Sequence, residues 1–148
     1  MKRFLAATLA LLAAACATTP ISSPIAPTGP VSIPSGAFDL GGDWRHDTAA
    51  AVVTHFEQSA SARYGAGLAL ADVTADLRHN QFACTANHDP GVRGDPPAQI
   101  CRKTVSEAGC THTWQVHLFD THGDARLGRT RGLYDRRCGN DTLLGGPS

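Results

Sequence analysis

Four cysteines, Cys84, Cys101, Cys110 and Cys138, crowd the second half of the chain with 16, 8 and 27 residues between them. That spacing lacks the close cysteine pairs of a zinc finger and the Cys-x-x-Cys of thiol exchange. In an exported domain such cysteines form two disulfides, and three pairings are possible. The strand patterns between them favour Cys84–Cys101 across a first pair of strands. They favour Cys110–Cys138 across a second, because a hairpin centred near Asp124 brings those two opposite each other. This half of the chain must therefore fold as adjacent strands.

Export is the reading of the N-terminus. Lys2 and Arg3 precede an apolar run, Phe4 to Leu12, and the small residues Ala13-Ala14-Ala15. The run counts 12 residues to Ala15, short of the about 18–20 that span a bilayer. Residues 1–15 are expected to be a cleaved signal. Leu12-Ala13-Ala14-Ala15-Cys16 resembles the lipobox of bacterial lipoproteins, with Ala13 where leucine is usual. The resemblance implies that Cys16 becomes the first mature residue and carries the lipid. Ala17, in place of Asp, implies sorting to the outer membrane, with the body facing the periplasm. The alternative is plain secretion with Ala13-x-Ala15 as the cleavage motif, which leaves Cys16 an odd cysteine.

Charge excludes one large class of partner. The whole chain has 13 basic and 13 acidic residues; without Lys2 and Arg3 the balance is 11 against 13. A near-neutral protein has no general pull toward nucleic acid or anionic lipid.

Prolines 20, 24, 27, 30 and 34 make residues 16–42 read as a tether without helical or strand period. The folded domain is expected over 43–139, with a flexible tail at 140–148. Asp47 is the expected N-cap of a helix over 48–63, whose apolar stripe runs through Val52, Phe56 and Ala60. Leu70, Val73 and Leu77 predict a second helix over 69–79. Strands are expected at 81–86, 98–105, 112–119 and 125–137, the last bent or bulged at Gly128 and Gly132. The class is α+β: two N-terminal helices on one face of a three- to four-stranded antiparallel meander, stitched by two disulfides.

This order resembles the SmpA/OmlA family of small outer-membrane lipoproteins and the related beta-lactamase-inhibitor-like modules. Gly67-Leu68-Ala69-Leu70-Ala71-Asp72-Val73, followed by Leu77, is similar to their second-helix opening. The resemblance implies protein binding in the envelope rather than catalysis.

The sequence holds no Gly-x-Ser-x-Gly, His-Glu-x-x-His or P-loop. No catalytic residue, metal or cofactor is expected. Arg93-Gly94-Asp95 sits in a turn-rich loop over 87–97 and is read as coincidence with an adhesion tripeptide. The candidates for partner binding are Arg129, Arg131, Arg136 and Arg137 on the last strand, together with Trp44. Arg129 and Arg131 are expected to share a face, as are Arg126 and Arg136 if no bulge intervenes. Their bland role is to solvate an edge strand; their functional role is a basic stripe for an anionic envelope polymer or an acidic protein patch. The expected function is a non-enzymatic binding or structural role on a lipid anchor. The alternative is a small periplasmic enzyme or metal module using histidines, with His117 as base beside Lys103 or an arginine.

Overall fold

The computed structural model describes residues 32–87 and 95–139. The signal segment, Cys16, the stretch to residue 31, His88, Arg93-Gly94 and the tail from 140 lie outside the described residues. Two helices, α1 (Ala49–Arg63) and α2 (Leu70–His79), precede four strands: β1 (Ala83–Ala86), β2 (Gln99–Glu107), β3 (Cys110–Phe119) and β4 (Arg129–Cys138). The strands form one antiparallel sheet in chain order. The protein is α+β, with disulfides Cys84–Cys101 and Cys110–Cys138, each joining directly opposite residues of neighbouring strands.

The periodicities place the core. Val52, Phe56 and Ala60 of α1 and Leu70, Val73 and Leu77 of α2 share one buried cluster with Cys101, Trp114, Val116 and Leu118. Full burial of one such side chain stabilises by roughly 1.5–3 kcal/mol. The N-cap of α1 is Thr48 rather than Asp47: its hydroxyl accepts from the Ala51 N–H at 3.3 Å. The β2–β3 turn is tighter than the sequence suggested. Ala108 and Gly109, at φ 51° and 78°, form a two-residue loop that suits the twist of a hairpin. Pairing thus extends to Glu107 and Cys110.

The last strand also differs. Residues 125–128 are not part of β4; Arg126 bridges Ala69, and the N–H of Leu127 donates to the Leu68 carbonyl at 2.8 Å. The helix–helix connection has captured this segment as its own pairing partner. From Arg129 to Cys138 the register against β3 is unbroken, so Gly132 marks no bulge. It marks where α1 crosses the sheet: a Cβ there would lie 2.9 Å from Glu57 Cα and 3.1 Å from Phe56 Cδ1. Gly132→Ala should push helix and strand apart and cost about 1–3 kcal/mol. A urea midpoint equal to that of the parent would show that α1 yields without cost.

Residues 33–42, read with the tether from sequence, pack onto the body. Phe38 is buried, and Ile33 and Leu40 lie against the core. The Trp114 Nε1–H donates to the Leu40 carbonyl at 2.8 Å, and the Phe38 N–H to Asn80 Oδ1 at 2.8 Å.

Asp76 joins the helices. Its carboxylate accepts from Arg63 Nε and Nη2 at 2.8 and 3.0 Å and from the Tyr64 hydroxyl at 2.7 Å. Burial pushes the carboxyl up, but the bonds from Arg63 and Tyr64 outweigh it and hold the pKa below its ordinary 3.8. A carboxyl depressed in the folded state stabilises above its unfolded pKa, and that contribution is lost as pH falls through the folded value. Asp76→Ala also takes the carboxylate from the half-buried Arg63, which keeps the Gly36 carbonyl, so it should cost about 1.5–3 kcal/mol at neutral pH. The variant's stability should fall less than the parent's below about pH 4. Denaturant titrations at pH 7 and pH 3 read both effects; equal acid slopes would remove Asp76 from the account.

Candidate functional site

Register decides which side chains meet. On the sheet face away from the core, Thr85, Ile100, His117 and Arg131 form one row of cross-strand partners, and Ala83, Arg102, Gln115 and Leu133 the next. Arg129, Asp135 and Arg137 share that face by alternation along β4. It therefore presents Arg102, Arg129, Arg131 and Arg137 against a single acid of its own, Asp135.

Two of these arginines are occupied. Arg129 stacks on the Phe119 ring at 3.4 Å and pairs with Asp95 at 3.1 Å, while Arg137 pairs with Asp135 at 2.9 Å. Among the described residues, neither Arg102 nor Arg131 has a carboxylate within ion-pair distance. Their Cα atoms lie two strands apart, about 9.6 Å, and one row along, about 6.8 Å. They therefore straddle His117 and Gln115, which touch at 3.4 Å; Arg102 Nη2 reaches Gln115 Oε1 at 3.5 Å. Burial first, then Arg131 and Arg102, hold the His117 imidazole below its usual pKa. An anion settling between the guanidiniums would favour the ring's protonated form.

Asp39, Asp43 and Asp47 lie on the N-terminal segment and Glu57, Asp72 and Asp76 on the helices, where Arg45, Arg63 and Arg78 accompany them. The open sheet face differs in its local excess of four arginines over its own Asp135.

The structure divides the residues singled out from sequence. Arg129, Arg131 and Arg137 lie on the open face. Arg136 lies on the other, where it lines a cleft of about 220 Å³ with Trp44, Arg45, Glu107 and His112. Arg126 does not share its face: it has left the strand and donates from Nη1 to the Gly67 carbonyl at 2.8 Å. Trp44 is buried at the mouth of this cleft, edge-on to Trp114 at 5.0 Å and to His112 at 4.8 Å. Lys103 cannot assist His117, because β2–β3 pairing puts it on the opposite face; its Nζ donates to the Asn80 carbonyl and Gln81 Oε1. His112 and His117 face opposite ways, as alternation requires. Among the described residues no group of three His, Cys, Asp or Glu could hold a metal ion, and no helix is long and apolar enough to cross a membrane.

Arg102 was missed by sequence reasoning. It joins Gln115, His117 and Arg131 only through the β2–β3 register, which the Ala108-Gly109 loop sets. Gln115 lies beside His117 by alternation along β3; the length of the turn was the missing count. A scan against protein-family models found no match, and neither did comparisons with curated proteins and with solved structures.

Proposed function

We propose that this protein is a lipid-anchored module of the bacterial envelope that binds an anionic envelope polymer, without catalysis, through the open face of its sheet. The supporting observation is the pair Arg102 and Arg131, two guanidiniums without carboxylate partners among the described residues. Their Cα atoms stand about 12 Å apart on a face where Thr85, Gln115 and His117 alternate with Ile100 and Leu133. Spaced cations on an open sheet suit repeated phosphates or carboxylates better than one enclosed ligand. The lipobox-like Cys16, with Ala17 after it, and the resemblance to SmpA/OmlA lipoproteins support an outer-membrane anchor with the body facing the periplasm, within reach of such polymers.

Lipopolysaccharide is the first probe. Arg102→Gln with Arg131→Gln should weaken binding of the mature chain to immobilised lipopolysaccharide at least tenfold. Arg78→Gln, on α2, should leave it unchanged. Parent affinity should fall as salt rises, because exposed charges are screened. Equal binding by the double variant would reduce the face to solvation of an edge strand. Intact mass of the membrane-extracted protein tests the anchor: a lipid-sized increment on Cys16 is expected, and a mature chain without it would leave secretion alone.

A further inference from the structure

The cleft on the opposite face carries its own chemistry, independent of the sheet-face reading. His112 is only 5% exposed, and its Nδ1 lies 2.7 Å from the Tyr134 hydroxyl. That hydroxyl has one hydrogen, and His112 is its hydrogen-bond partner among the described residues. Taking that hydroxyl as the donor to Nδ1 assigns the imidazole hydrogen to Nε2. Every fully buried side-chain nitrogen and oxygen of the described residues has a partner. Nε2 has none, so it is the atom through which this ring meets the cleft it lines. Arg136 contributes a second donor. Its Nη1 makes one long bond, 3.4 Å to the Asp47 carbonyl, and no carboxylate of the described residues pairs with it.

The remaining wall is already neutralised. Both Glu107 oxygens accept from Arg45 Nε at 3.0 and 2.9 Å, and that guanidinium stacks 4.2 Å from the Trp44 ring. His46 is taken up by Asp43 at 2.8 Å. The unmet groups are thus two donors, one cationic, beside an indole.

We propose that the cleft between Trp44, His112 and Arg136 binds a carboxylate end group, with Arg136 and His112 Nε2–H donating to its oxygens and Trp44 flanking its first carbons. At about 220 Å³ the cleft is smaller than the roughly 300–1,000 Å³ that encloses a drug-sized ligand. It fits the acid end of a small organic acid or of a polypeptide chain.

The test uses the mature chain and follows the ring signals of Trp44 and His112 by NMR. The probes are propionate, N-acetyl-dialanine with a free acid, and the same peptide as its amide. Saturable shifts with both acids and none with the amide are expected. Saturation by one acid alone supports the site and identifies its source, free acid or chain end. Arg136→Gln should raise the Kd at least tenfold while Trp114 signals stay in place, and Arg137→Gln should not change it. Equal shifts with the amide, no saturable shift with either acid, or parent-like affinity in Arg136→Gln would overturn the proposal.

Discussion

Reduction of both disulfides is expected to unfold the domain. The two bridges close loops with sequence separations of 17 and 28. Constraint of the unfolded chain by loops of this size stabilises by about 3.1 and about 3.6 kcal/mol respectively. Their joint loss rivals the whole stability of a domain this small, on the order of 5–15 kcal/mol. The two should not contribute alike. Cys110–Cys138 closes the longer loop, but Cys101 is fully buried in the core, where a serine hydroxyl would be buried in its place, so the Cys84→Ser, Cys101→Ser double variant should lose more than its Cys110, Cys138 counterpart. Thermal unfolding with and without reductant measures the total, and urea midpoints of the paired variants measure the shares. An unchanged transition in reductant would mean that the sheet holds without its cross-links.

The second large effect is at Phe38. Its ring lies 5.4, 5.5 and 5.7 Å from those of Phe56, Tyr64 and Phe82, so it is wedged between α1 and the entry to β1. Phe38→Ala should cost about 3–5 kcal/mol, the loss of burial plus the cavity left behind. Ser35→Ala, three residues earlier and exposed, should cost almost nothing. If Phe38→Ala were as mild as Ser35→Ala, residues 33–42 would belong with the tether after all.

That segment shows where sequence reasoning stops. Phe38-Asp39-Leu40-Gly41-Gly42 has no helical or strand period. Its order comes from single contacts with Asn80 and Trp114, 42 and 74 residues away. Gly41, at φ 103°, lets the backbone approach Val52, where a Cβ would stand 2.8 Å from the Val52 carbonyl oxygen. None of this leaves a local signal. Strand β3 is the opposite case: Trp114, Val116 and Leu118 alternate with polar residues, so its buried face could be read directly. The cysteine pairing was legible because hairpin symmetry depends on chain distance alone.

The candidate site was half legible for the same reason. Arg129 and Arg131 share a face by alternation, as expected. Asp95, which neutralises Arg129, is 34 residues away, and Arg102 joins Arg131 only through the register across β3. The splitting of Arg126 from Arg136 was hidden because residues 125–127 continue the strand composition yet pair with residues 67–70. Composition cannot say which of two partners a segment will choose.

The most direct measurement of the central claim is to map a soluble anionic oligosaccharide on the folded chain by NMR. Binding through the open face predicts saturable shifts at Arg102, Gln115, His117 and Arg131, none on α1 or α2, and a rise in the proton affinity of His117 as the anion takes up the two guanidinium charges. Shifts confined to the helices, or no shift at any of these four residues, would contradict it.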